Sequence, residues 1–256
     1  MSKEFGKLEK DPIMECVSEF RFDTHLDENI AFAILLQTLQ TSPDFKSFSA
    51  IQQPIMQLPP DIRRSNPQLQ FQPCYLLVHD NMTIGVSSHS LLFSLKSPYS
   101  SFDEFEEFIK KALTVLKMST YLKSISRISL RYINKIEDSL FEATSLNIDG
   151  VVLPITPDNS VNLRIESSNE NCITTVLQLN NNSLITLVQN GKPTEPTKAS
   201  VVDIDSIYNF KTPILSFGDE KLLNGLKELH KKTHSIFFNL FKQDYIRNHF
   251  DANYGK

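Results

Sequence analysis

Polar and apolar residues alternate between Pro12 and Phe22. Met14, Cys16, Ser18, Phe20 and Phe22 fall on one side, and Ile13, Glu15, Val17, Glu19 and Arg21 on the other. That two-residue period predicts a strand with one mostly apolar face and one charged face. Asp27 then reads as a helix N-cap, and Ile30, Ala33, Ile34 and Leu36 to Leu39 carry a helical pattern that Ser42-Pro43 ends. Residues 43–68 hold Pro43, Pro54, Pro59, Pro60 and Pro67 and read as a long loop. Loops of that length are uncommon inside a domain and often functional. Strand candidates follow at 69–71, 75–80, 83–88 and 91–94, with His79 to Met82 as a hairpin turn.

Residues 101–118 predict an amphipathic helix. Phe105, Phe108, Ile109, Ala112, Val115 and Leu116 share its apolar face, and Asp103, Glu104, Glu106 and Glu107 load its first turns. Residues 125–136 read as a strand from their β-branched and aromatic content. Beyond Asp149-Gly150, four strands are expected at 161–166, 172–180, 183–189 and 200–208, with Asn180-Asn181-Asn182 as a hairpin tip. A last helix runs from Asp219 to about Phe250, with Leu222, Leu226, Leu229, Thr233, Ile236, Phe237, Leu240 and Phe241 as its stripe.

This order predicts an α+β fold with two mostly antiparallel sheet layers, each packed with an amphipathic helix. The division is placed near residue 150. An N-terminal α+β half (1–150) precedes a strand-rich C-terminal half (151–256) closed by the long helix.

Composition narrows the classes. Hydrophobic residues at 40% and charged residues at 22% fit a folded chain and not a disordered one. With 18 Phe and no Trp, phenylalanine should dominate the core. A net charge of −4 gives no overall attraction to nucleic acid, leaving only a local basic patch. Cys16, Cys74 and Cys172 are odd in number and widely spaced, so neither a disulfide framework nor a C-x-x-C metal site is expected. The charged N-terminus lacks an apolar signal region, and no stretch nears the roughly 18 apolar residues of a membrane helix. A cytoplasmic protein with no membrane partner is the expectation.

Several polar constellations stand out, each with a plainer reading beside it. His230 and His234 are four apart on one helix and could hold a metal. Lys231 stands where a zinc protease has its glutamate, and two boundary histidines with one nitrogen in water is the alternative. Asp203 and Asp205 share a strand face, suited to a divalent cation or to plain solvent exposure opposite Val202 and Ile204. Glu15, Glu19 and Arg21 would form a charged ladder with the strand carrying Arg131 and Asn134, lining a polar cleft or making cross-strand ion pairs. Arg63 and Arg64 lie in the proline-rich segment and suit protein or phosphate contacts, or a stiff surface loop. Phe238 falls opposite the apolar stripe, with Tyr245 on the same side. An exposed aromatic there marks a partner surface, with a second copy in a twofold dimer as one occupant. The alternative is that another part of the chain folds over it.

Five segments run together in a recognisable order. They are Phe5-Gly6-Lys7-Leu8, Pro12-Ile13-Met14-Glu15 with Glu19-Phe20-Arg21-Phe22, Leu130-Arg131-Tyr132-Ile133-Asn134, Val202-Asp203-Ile204-Asp205, and Leu229-His230 with Ile236-Phe237. In that order, over essentially the whole chain, the sequence resembles a sporadically distributed family of uncharacterised bacterial proteins. The resemblance implies a similar fold and no assigned activity. Its patchy occurrence is that of mobile or defence-associated genes. The family usually has a second proline beside Pro12, where this chain has Asp11.

There is no G-x-x-x-x-G-K-[ST], G-x-G-x-x-G or G-x-S-x-G motif, and only seven glycines, so nucleotide- and dinucleotide-dependent chemistry is argued against. No cofactor is expected. The leading expectation is a non-enzymatic protein-binding component of a bacterial defence or mobile-island system. One rival is a metal-assisted hydrolase using Asp203, Asp205 and a helix histidine, which requires those side chains to lie within about 5 Å of one another. The other is a nucleic-acid-binding module using Arg63, Arg64, Lys227, Lys231 and Lys232.

Overall fold

The computed structural model describes residues 8–26, 28–67, 69–117, 122–146, 160–169, 172–186, 188–189 and 192–254. The chain opens with β1 (Ile13–Thr24), α1 (Glu28–Thr41), β2 (Ser49–Gln52), a short 3-10 turn at Pro54–Gln57 and α2 (Pro60–Ser65). Then come β3 (Tyr75–His79), β4 (Met82–Val86), β5 (Ser90–Lys96), α3 (Phe102–Leu116), β6 (Leu122–Ile136) and α4 (Leu140–Ala143). The second half adds β7 (Val161–Ser168), β8 (Ile173–Ile185), β9 (Val188–Gln189), β10 (Lys192–Pro193), β11 (Thr197–Ile214), α5 (Glu220–Leu240) and α6 (Gln243–His249). The α+β class is as expected.

Instead of two sheet layers, strands of both halves share one antiparallel sheet in the order β2-β3-β4-β5-β1-β6-β11-β8-β7. The division at residue 150 lies outside the described residues, and β6 and β11 hydrogen-bond across it. The order has an internal logic. Two successive segments repeat one arrangement: β1 pairs with β5, the last strand before α3, and β6 pairs with β11, the last strand before α5. The two first strands then pair with each other at the centre, with Ser18 opposite Leu130.

Alternation along the central strands sorts the side chains onto two faces. Cys16, Phe20, Phe22, Phe93, Ile128 and Leu130 turn toward the helices and are buried with Phe105, Phe108, Leu222, Leu226 and Leu229. α3 starts as its sequence predicts, with the Ser101 hydroxyl accepting from the Glu104 N–H at 3.1 Å. Asp219 caps α5 by accepting from the Lys221 N–H at 2.9 Å. Gly225 lets α5 lie close on the sheet, because a Cβ there would stand 2.8 Å from Ile128 Cδ1. The opposite face carries the charged residues of β1, β6 and β11.

Other departures have local causes. In α1 the buried positions are Ala31, Leu35 and Leu39, whereas Ile30 is exposed. The expected Asp27 cap lies outside the described residues. Residues 43–67 are not a loop but an edge strand, a 3-10 turn and a short helix. Residues 69–71 form a turn instead of a strand. Asn180 to Asn182 is not a hairpin tip. It lies inside β8, where Asn182 takes φ 52° and the register slips between Ala199 and Val201, the marks of a bulge. The final helix stops at Leu240 because Phe241 turns extended, with its backbone bridged to Thr144. Ser145 N–H bonds Leu240 O at 2.8 Å, and Lys242 N–H bonds Ala143 O at 3.0 Å.

Candidate functional site, a tyrosine–histidine cleft

On β6 the alternation puts Leu130, Tyr132 and Asn134 on the helix side. Asn134 is 1% exposed and spends its amide on the Val202 carbonyl at 3.0 Å, bracing β6 to β11. Tyr132 has a polar end on an otherwise apolar face, and a buried hydroxyl needs a partner. It finds His230 Nδ1 of α5 at 3.0 Å and the Tyr99 hydroxyl at 3.4 Å. Phe102, the first residue of α3, lies flat on the His230 ring, with centroids 3.9 Å apart and 2° between the planes. One turn on, His234 is 5.6 Å from His230 and 4.4 Å from Phe238.

These groups line a cavity of about 450 Å³. Its apolar wall includes Leu8, Ile13, Ile204, Phe237 and Phe238, and its rim carries Asp11, Asp103, Glu106, Lys227 and Lys231. Residues 9–10 and 250–254 meet beside it. Lys10 N–H bonds Phe250 O at 2.8 Å, Asn253 bonds Glu9 at 3.0 Å, and the Tyr254 ring stacks on Phe238.

Burial decides the electrostatics of the interior. It pushes His230 down to about 4, helped by His234 and Lys231, and lowers His234 as well. It raises Tyr132, Tyr99 and the Cys16 thiol behind them. All of these groups are therefore neutral at pH 7. Tyr132 Oη and His230 Nδ1 share one hydrogen bond, and the imidazole tautomer sets which of the two donates.

The charged face of the sheet is a separate arrangement. Arg131 holds Asp203 through both carboxylate oxygens, with Nε to Oδ1 at 2.8 Å. Glu19 accepts from Arg21 Nε at 2.8 Å and lies 3.8 Å from Arg127, the residue opposite Arg21. Ser94 donates to Glu15. The Phe71 ring covers the Arg21 guanidinium at 3.8 Å. Asp205 beside them is pushed up to about 6 by burial.

The expected site residues thus divide. Glu15, Glu19, Arg21 and Arg131 do share one face, but Asn134 lies on the other, since three positions separate it from Arg131. Asp203 and Asp205 sit on the charged face, while His230 and His234 sit on α5 against the opposite face. The sheet lies between them, so the four do not form one metal site. Arg63 is not a surface contact: it is 3% exposed, with Nη1 3.2 Å from Cys74 Sγ and 2.9 Å from Met56 Sδ. Arg64 pairs with Asp61 at 2.8 Å and Lys227 with Glu106 at 3.1 Å, both with the basic side chain exposed. Phe238 is 6% exposed, covered by Tyr254 and packed on Phe237, so it is core and not the expected partner surface. Tyr245 belongs to α6 and donates to Asp138 Oδ2 at 2.7 Å.

Tyr132, Tyr99, Phe102 and Arg127 were not among the expected site residues. The signal for Tyr132 was a tyrosine on the apolar side of a strand. No protein-family model matches the chain, and no curated protein matches it. Among the described residues, no helix is long and apolar enough to cross a membrane.

Proposed function

We propose that this chain is a non-enzymatic binding protein whose ligand, a small and largely apolar molecule, seats in the cleft between α3, α5 and β6. The observation that carries the reading is the neutral interior. A general base or acid works best with a pKa near the working pH, and a cysteine nucleophile needs an accessible thiolate. Here the imidazole is held far below that range, and the hydroxyls and thiol are pushed up. A cavity of this volume, apolar with a few convergent polar groups, is suited to holding a molecule in one orientation. Titration with 1-naphthol, a neutral fluorescent aromatic, tests it. Saturable one-to-one binding is expected, lost in Ile204→Phe, which fills the cavity, and kept in Asp205→Asn on the other face. Non-saturable binding, or binding indifferent to Ile204→Phe, would refute the reading.

A protein partner is favoured by a different surface, the charged face holding Glu15, Glu19, Arg21, Arg131 and Asp203. Its ion pairs fix several long side chains in one array, which offers a partner an ordered pattern of charge. The test is native purification. Chains that co-elute with the wild type should be lost when Arg131 and Asp203 are both replaced by Ala. The defence or mobile-island setting is supported only by the sequence resemblance.

A further inference from the structure

We propose that the charged face holds an anion site of its own, where a carboxylate group seats on Arg127 in the pocket it shares with Arg21, Gln70, Phe71 and Asn209. The site lies across the sheet from the cleft and stands whether or not the cleft binds a ligand.

Two arginines of β6 make the case. Arg127 and Arg131 are four positions apart and so project from the same face. On β11, Arg131 stands opposite Asp205 and Arg127 opposite Asn209. Arg131 is forked on both carboxylate oxygens of Asp203, two positions before its register partner. The same offset from Asn209 falls on Ile207, which offers a guanidinium nothing. Arg127 donates no hydrogen bond among the described residues, and its Nε is buried without a partner. An unpaired buried donor is costly, more so on a charged group.

Charge points the same way. Arg21 stands opposite Arg127 on β1, and the two guanidiniums reach one oxygen, Glu19 Oε2, at 2.8 and 3.8 Å. The second distance is too long for a hydrogen bond. Among the described residues no other carboxylate comes within 4.0 Å of either guanidinium. Asp205 is in register with Arg131, and Asp23, exposed at the rim, accepts from Ser124 Oγ at 3.0 Å. The two arginine side chains are only 26% and 21% exposed. Two largely buried cations thus share one carboxylate, and one added negative charge balances them. A carboxylate carries that charge in the planar shape that fits the guanidinium fork, whereas a phosphate dianion brings one charge too many beside Glu19.

The surroundings are fixed and roomy. The pocket encloses about 460 Å³, within the range of about 300–1,000 Å³ usual for ligand clefts. Phe71 is held over Arg21 by its own carbonyl, which accepts from Ser90 Oγ at 2.9 Å. His89 is held at the margin by its carbonyl, which accepts the Phe22 N–H at 3.0 Å.

The test is NMR of the full, isotope-labelled chain at pH 6.5, following the arginine Nε–H signals during titration with benzoate, benzamide and phenyl phosphate. Benzoate should shift the Arg127 signal saturably. Benzamide, its neutral isostere, should bind at least tenfold more weakly, and phenyl phosphate no more tightly than benzoate. Arg127→Lys keeps the charge and loses the fork, so it should weaken benzoate at least tenfold, whereas Asp23→Asn at the rim should not weaken it. A blocked tripeptide with a central glutamate separates two sources of the carboxylate. Tighter binding than benzoate assigns it to a partner chain and weaker binding to a free acid, and either result supports the site. Benzamide binding as well as benzoate, phenyl phosphate binding more tightly, or Arg127→Lys binding benzoate like the wild type would overturn the proposal. An Arg127 signal that benzoate does not move would overturn it too, and that measurement on the wild type decides even if the variant fails to fold.

Discussion

Replacing Asp205 by Asn should stabilise the protein above pH 7 and leave its stability at pH 4 almost unchanged. One carboxylate oxygen, Oδ1, is buried with no hydrogen-bond partner among the described residues. Burial raises the group from 3.8 to about 6, against the pull of Arg127 and Arg131, with Asp203 and Glu19 pushing the same way as burial. The folded chain therefore holds this proton more tightly than the unfolded chain. The group's contribution is full below about pH 4 and is lost as the pH rises through about 6, where the native state must carry a poorly solvated charge. A difference of about two pKa units corresponds to at most ~3 kcal/mol, and partial hydration of the other oxygen reduces it to about 2 kcal/mol. Urea unfolding of both proteins at pH 4, 5, 6, 7 and 8 measures the difference directly. The gap should open between pH 4 and 6 in favour of the Asn variant. A variant less stable than wild type at pH 8 would refute the reasoning, because attraction to the two arginines would then outweigh the cost of burial.

Phe108 is 7% exposed and ringed by Phe45, Phe48, Phe93 and Phe105, so Phe108→Ala should cost about 3–5 kcal/mol in denaturation. A loss below about 1 kcal/mol would mean that α3 faces the sheet differently. In a proton NMR titration the His230 ring signals should stay constant from pH 8 to 5 and move with a midpoint of about 4, whereas a midpoint near 6.5 would show a wet cleft. Asn181→Ala should cost about 2–3 kcal/mol, because Asn181 Oδ1 accepts from both Ser139 Oγ at 3.1 Å and Leu140 N at 2.7 Å, and their buried donors would lose their partner. Phe238→Glu should destabilise the fold by more than about 3 kcal/mol in denaturation, and a stable folded variant of lower apparent mass would restore Phe238 as a partner contact.

β1 and α3 were legible in the sequence because each has a long, clean period and its own terminating signals. Ser101 marks the start of α3, and six apolar residues recur at helical spacing. The asparagine run at 180–182 misled because three such residues suit a turn by local preference, while the bulge in β8 is imposed by pairing with β11. The end of α5 was invisible for a related reason: it is set by Ala143, Thr144 and Ser145, about a hundred residues away. One sheet in place of two layers follows from β6 pairing with β11, a choice made by register and not by pattern. The cleft was half legible. His230 stood out by its spacing to His234, but its partner Tyr132 is 98 positions distant, and spacing on one helix says nothing about what lies across from it.

The central pairing of β1 with β6 has a topological consequence. The segment from β1 to α3 and the segment from β6 to α5 each leave their first strand with one ladder unfilled until the other supplies it. β1 and β6 differ in sequence, so the seam accepts only β6 against β1, whether from the same chain or from a second copy. Two copies that exchanged the segment preceding β6 would regain every hydrogen bond across β1 and β6, since the same sequences meet in the same register.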